Sequence, residues 1–284
     1  MRKIGHIATM LSTALLMGGA GCATEAGDVT DATGGADEGQ VGVSRDALTT
    51  TQDATEDYSF MISLQDIYDT HHCGAALIAP NWAVTAEHCI HDVDAPYIQL
   101  RLGSKFVNAG GTLASVDQII HPPVIGGWQV PSVDLYPGHD IALMHLTEPV
   151  REAPIKIATS AGIPGTVTRL IGWGHTCSGV PFNVGCTLPT ILKELDTRIT
   201  FDAVCSTVFI NPVNETCLGG YGQPGACNGD SGGPSIRKIN GQWQLTGVTS
   251  RLTAPYYVCG TAPFVYTDVT KWRAWINGET GLSL

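Results

Sequence analysis

The sequence is short of charge, and shortest of positive charge. Only 14% of its 284 residues are charged, and 15 Lys and Arg face 26 Asp and Glu, a formal net charge of −11. Gripping nucleic acid requires clustered cations, so no nucleic-acid partner is expected; the acidity bears on solubility. CxxC pairs and Cys/His clusters at zinc spacing are also missing, which argues against structural zinc. The apolar run at 7–17 is too short to span a bilayer as a stable helix. Long salt-bridged helices are disfavoured by the same scarcity of charge.

What is plentiful points the other way. With 43% hydrophobic residues, 34 glycines and 16 prolines, the composition suits many short strands joined by tight turns, an all-β chain. Its length accommodates one large or two moderate bodies. Nine cysteines are many for a reduced compartment, so disulfides in an exported protein are the expectation.

The N-terminus reads as an address. Met1-Arg2-Lys3, the apolar run, and Gly18-Gly19-Ala20-Gly21-Cys22 make residues 1–22 an export signal. Ala20-Gly21-Cys22 is similar to the end of a bacterial lipoprotein signal, with Cys22 as the lipid-bearing residue and the means of membrane attachment; Gly19 departs from the usual Leu. An ordinary signal cleaved nearby is the alternative. Setting Cys22 aside leaves an even eight cysteines. Residues 23–47, nearly devoid of large apolar side chains, form an acidic flexible tether or propeptide.

Chemistry concentrates at Cys227-Asn228-Gly229-Asp230-Ser231-Gly232-Gly233-Pro234. A serine between Gly-Asp and Gly-Gly lies where the backbone takes unusual dihedrals and its amides can face a substrate. Such a nucleophile needs a histidine base and a carboxylate to orient it. His88 follows the strand 82–85 and adjoins Cys89; alone it reads as a core histidine, and Ser231 reverses that reading. Cys73 and Cys89, on neighbouring strands, are expected to pair. Asp140, after Pro137-Gly138-His139, is either a turn residue or the orienting carboxylate; His139 and His145 are bystanders. Strands are expected at 58–64, 73–78, 82–85, 97–102, 114–121 and 140–146.

These motifs occur together. Residues 48–284 resemble a trypsin/chymotrypsin-family serine protease in Cys73-Gly74-Ala75-Ala76-Leu77-Ile78, Thr85-Ala86-Glu87-His88-Cys89, Asp140-Ile141-Ala142-Leu143, Gly172-Trp173-Gly174, Gly229-Asp230-Ser231-Gly232-Gly233-Pro234 and Trp272 to Ile276. The resemblance implies two six-stranded antiparallel barrels, about 48–155 and 156–270, and a C-terminal helix ending near Asn277-Gly278. Its implied activity is cleavage of peptide or protein substrates through an acyl-enzyme on Ser231, with His88 as base and Asp140 orienting it, in an exported bacterial enzyme. A silent protease-like binding protein and an esterase are the alternatives. Gly229 and Ser231 would supply the oxyanion hole, Ser250 would brace Asp140, and Asp230 would receive the ammonium of a cleaved N-terminus near Leu48. The usual Ile-Val-Gly-Gly start is absent, and Glu87 replaces a small residue.

The remaining implications concern bridges and substrate choice. Cys205–Cys217 and Cys227–Cys259 follow the family, whereas Cys177–Cys186 is a local pair without a family counterpart. Gly225 lies where a trypsin-like enzyme carries aspartate, and Leu252 and Phe264 lie where many relatives keep glycine. A shallow apolar pocket for small side chains follows; an alignment shift within Gly260-Thr261-Ala262-Pro263 would leave it open. No cofactor and no metal are expected, the loop after residue 103 lacking the paired carboxylates that hold calcium in some relatives. A proteinaceous inhibitor and a monomeric state complete the expectation.

Overall fold

The computed structural model describes residues 52–123, 138–176, 187–253 and 262–284. After a two-residue strand β1 (Gln52–Asp53), the chain forms β2 (Met61–Asp66), β3 (His71–Ala79), β4 (Trp82–Thr85), β5 (Ile98–Leu102), β6 (Thr112–Ile120) and β7 (Ala142–Leu146). Strands β2 to β7 close into a barrel in the order β2-β3-β4-β7-β6-β5. Their apolar side chains fill it: Met61, Ile62, Leu64, Leu77, Leu100, Leu102 and Leu143 are fully buried. Pro80 and Asn81 make the turn between β3 and β4, where the ring restricts the backbone. Three strands start later than expected, β5 by a single residue. The chain at 58–60 turns before β2, and Asp140 precedes β7 without joining it.

The second half contributes β8 (Lys156–Ile157), β9 (Val167–Gly172), β10 (Lys193–Arg198), β11 (Glu215–Leu218), β12 (Pro234–Ile239), β13 (Gln242–Leu252) and β14 (Phe264–Asp268). They form one eight-stranded sheet ordered β1-β10-β9-β12-β13-β14-β11, with β8 parallel to β13. Six of these strands, in the order β10-β9-β12-β13-β14-β11, make up the second antiparallel unit that was expected. Strands β10 and β11 meet through a single bridge, Ile199 to Leu218, and two short strands are added, one of them β1 from the opposite end of the chain. Its attachment is polar as well: Gln52, Thr55 and the Tyr58 hydroxyl all donate to the buried Glu194 carboxylate, which Arg169 also contacts.

The closing helix α1 (Arg273–Thr280) runs past Asn277-Gly278, correcting the expected end. Gly281, at φ 70°, accepts the left-handed conformation that stops it. Trp272 and Ile276 share the buried face, as the i, i+4 spacing implied. Among the described residues no helix is long and apolar enough to cross a membrane.

Candidate active site

Strand register brings the first two site residues together. Thr85 at the end of β4 pairs with Ala142 at the start of β7 in antiparallel register. His88, three residues after Thr85, and Asp140, two before Ala142, therefore emerge at the same barrel end. His88 sits in a 3-10 turn, Glu87–Cys89, pinned by the Cys73–Cys89 disulfide. Its Nδ1 lies 2.8 Å from Asp140 Oδ2, and its backbone N–H donates to Oδ1 at 3.0 Å. The carboxylate can only accept, so Nδ1 carries the proton and Nε2 is left as the basic atom of the neutral ring. Ser250 on β13 donates to Oδ2 at 2.6 Å. Burial would raise the Asp140 pKa, but the charge of His88 and the His88 and Ser250 hydrogen bonds hold it below the ordinary value.

The Ser231 turn is fixed by its carbonyls. His175 N–H donates to the Asn228 carbonyl at 2.8 Å, and Gly233 N–H to that of Asp230 at 2.8 Å. In a trans peptide C=O and N–H point opposite ways, so the N–H groups of Gly229 and Ser231 are turned away from these anchors. Neither N–H donates to a backbone carbonyl among the described residues. Gly229 adopts φ 96°, which a side chain would strain. The turn is tied to the first barrel through Gly74 N–H, which donates to the Ser231 carbonyl at 2.7 Å. His71 reaches in behind it. Its Nε2 donates to the Gly229 carbonyl at 3.0 Å, and its Nδ1 faces the Ser63 hydroxyl at 2.8 Å. Burial lowers its pKa to about 4, keeping the ring neutral.

Asp230 points inward, away from Ser231. Its oxygens accept from Gly174 N–H at 2.7 Å and Cys227 N–H at 2.8 Å. A Cβ at Gly172 or Gly174 would come within 2.1 Å of this carboxyl, so the Gly-Trp-Gly segment is its seat. No ion pair to Asp230 forms among the described residues, and burial raises its pKa to about 7.

The expected pocket residues converge. A Cβ on Gly225 would lie 1.8 Å from the Phe264 ring, which is almost fully buried and pairs across β13–β14 with Leu252. The aromatic ring therefore occupies the space over Gly225.

Two functional neighbours escaped sequence reasoning. Glu215 on β11 receives both terminal nitrogens of Arg251, at 2.6 and 3.0 Å, and the N–H of Gly138 at 2.8 Å. Arg251 also donates to Ser250 Oγ at 3.2 Å. The pair thus buttresses Ser250 from one side and the approach to Asp140 from the other. His71 is the second, and neither carries a local signal. His145, on the far side, contacts Asn81 and Asp117. His139 stacks edge-on against Trp272 at 5.2 Å.

Of the expected bridges, Cys73–Cys89 and Cys205–Cys217 are formed and Cys227 is disulfide-bonded. Cys259, Cys177 and Cys186 lie outside the described residues, as do Cys22 and Leu48. The bridges agree with an oxidising compartment and hence with export.

A closed antiparallel barrel beside a second β-sheet, with a histidine–aspartate pair at one barrel end and a Gly-Asp-Ser-Gly-Gly turn near it, defines a chymotrypsin-like fold. Residues 49–276 match the family model named Trypsin. A trypsin of Phaedon cochleariae is 33% identical over 243 residues, covering 79% of this chain and 84% of that protein. A trypsin of Sarcophaga bullata is 31% identical over 235 residues, covering 78% and 84%. A tryptase of Mus musculus is 31% identical over 244 residues, covering 78% and 83%. The chain belongs to the trypsin family of serine proteases and is a serine endopeptidase, acting on peptide or protein substrates.

Proposed function

We propose that this endopeptidase works through Ser231, His88 and Asp140 and prefers small apolar side chains before the scissile bond. Ser231 Oγ attacks the peptide carbonyl while His88 Nε2 takes its proton. The Oγ–C bond forms, the C–N bond breaks, and His88 returns the proton to the leaving amine. Water, activated by the same imidazole, releases the acyl group. Asp140 keeps the ring in its Nδ1–H tautomer, and the N–H groups of Gly229 and Ser231 hold the oxyanion, each worth about 3–4 kcal/mol in such sites.

The observation that carries the specificity is the Phe264 ring lying over Gly225. No carboxylate stands at that position to attract Arg or Lys, and a filled pit discriminates against large side chains. The N-terminal reading accompanies it. An exported bacterial precursor is cut before Cys22, which carries lipid as the new first residue, and a later cut before Leu48 frees the enzyme domain from that anchor. The new ammonium then meets Asp230, whose buried, uncompensated carboxyl suits a cation. The mature enzyme is monomeric and open to a proteinaceous inhibitor.

A peptide library varied at the residue before the cut, with an organophosphonate probe in parallel, tests this. Ala or Val preference with Ser231 labelled is the expected result. Preference for Arg or Lys would refute the pocket reading. An unlabelled chain would point to a silent binder, and ester turnover without amide turnover to an esterase.

A further inference from the structure

A second polar cluster adjoins the site without belonging to it. Glu87 is buried, and its Oε1 lies 3.0 Å from His91 Nδ1 and 2.8 Å from His121 Nδ1. Among the described residues its Oε2 is buried without any hydrogen-bond partner. A buried carboxylate oxygen without a donor is costly and favours a cation there. The three residues come from separate places: Glu87 from the turn after β4, His91 one helical turn further, His121 directly after β6. The two rings stand edge to face with centroids 6.5 Å apart, each nitrogen aimed at the same carboxylate. Both histidine side chains are partly exposed, 36% and 48%, so the cluster is anchored by Glu87 and open to solvent on the imidazole side.

Two partly exposed imidazoles held on one buried carboxylate are a three-ligand set for a divalent transition cation once the rings swing together, since their ligand atoms do not all lie within 4.8 Å of one another as they stand. We propose that Glu87, His91 and His121 bind such an ion, with Zn2+ as the representative, through a Glu87 oxygen and the two Nδ1 atoms. On binding, each neutral ring moves its proton from Nδ1 to Nε2, and the ion takes the place of the protons that Oε1 now accepts. Asp92, whose Oδ1 lies 3.9 Å from His91 Nε2, adds negative charge at the rim. Cys73, His88 and Cys89 also converge, but both sulfurs are consumed in a disulfide and offer no thiolate. The sequence expectation of no metal rested on calcium carboxylates and zinc spacing, and this set conforms to neither pattern.

The test is calorimetric titration of ZnCl2 into the untagged, chelator-stripped intact chain, repeated with His91→Asn, His121→Asn and His88→Asn. One equivalent bound in the micromolar range is expected, weakened about tenfold or more by either of the first two changes and unaffected by the third. Circular dichroism melts establish that each variant is folded, and Co2+ substitution should give visible bands that His121→Asn removes. No heat up to millimolar zinc would overturn the proposal. So would binding that survives both His91→Asn and His121→Asn, or binding that His88→Asn abolishes. Because binding is read without turnover, the result stands apart from the catalytic reading.

Discussion

Replacing Asp230 by asparagine in the intact chain should remove a stability loss that the native protein suffers as pH rises. The carboxyl has a folded pKa of about 7 against an ordinary 3.8. A raised folded pKa means that the native state binds the proton more tightly than the unfolded state does. The associated stability is present in full below the ordinary value and is lost as pH rises through about 7. The gap from 3.8 to about 7, at ~1.36 kcal/mol per pH unit, comes to about 4 kcal/mol. His71 contributes an opposite arm. Its folded pKa of about 4 lies below the ordinary 6.5, so its stability is complete above 6.5 and is lost as pH falls toward 4, by about 3 kcal/mol. Burial pushes the Tyr266 hydroxyl upward, so it does not titrate in this window. Urea unfolding read by tryptophan fluorescence, with disulfides intact and Ser231→Ala present to prevent self-cleavage, measures both arms. The variant should gain on the native chain by about 4 kcal/mol between roughly pH 4 and pH 8.5, leaving only the acid arm. Parallel profiles within about 0.5 kcal/mol would refute the argument. A chain cleaved before Leu48 should lose the alkaline arm without any substitution, because an ammonium then offsets the charge.

Other perturbations separate the roles of individual side chains. Asp140→Asn should lower kcat about 10⁴-fold with little change in KM, since the amide cannot enforce the His88 tautomer; steady-state kinetics reads it. Phe264→Ala should shift preference toward Phe over Ala before the cut by about tenfold or more in kcat/KM, at a cost of about 3–5 kcal/mol in stability. Glu215→Ala should destabilise by about 3–5 kcal/mol because Arg251 stays buried without its partner, whereas the double change Glu215→Gln, Arg251→Met should cost much less. Thermal or urea unfolding of the pair of variants distinguishes a buried charge from lost packing.

How much was legible varies with how local the cause is. Strand β4 was readable to the residue, because Trp82 to Thr85 lies between a Pro80-Asn81 turn and a cysteine-flanked histidine. The apolar strands of the first barrel were readable for the same reason, while their ends were not: whether Tyr58 begins a strand depends on its hydroxyl finding Glu194, 136 residues away. Motif residues could be named, but the strand register that joins them could not. His88 and Asp140 meet because Thr85 pairs with Ala142, and nothing in either heptapeptide fixes that pairing. The Arg251–Glu215 pair was hidden for a related reason. Each is an ordinary charged residue until β13 and β11 flank β14 and bury both.

The two buried aspartates of the site show why residue identity alone does not give charge state. Asp140 is as buried as Asp230, each about 1% exposed, yet their pKa values move in opposite directions. Asp230 receives two backbone N–H groups, which lower its pKa without repaying the loss of water. Asp140 receives the His88 backbone N–H, the Ser250 hydroxyl and an imidazole that can itself take up charge. The difference is one ionisable partner. It follows that a cation supplied to Asp230 would convert it to the charged state that Asp140 already has, while the anchored Asn228 and Asp230 carbonyls keep the Gly229 and Ser231 amides turned away from those anchors. In this arrangement the stability of the Ser231 turn depends on the Asp230 charge, whereas the imidazole tautomer depends only on Asp140. Variants at Asp230 should therefore alter activity through the fraction of correctly folded turn, so that active-site titration counts fewer competent molecules while kcat per titrated site is kept; variants at Asp140 should keep the titrated fraction and lose kcat per site.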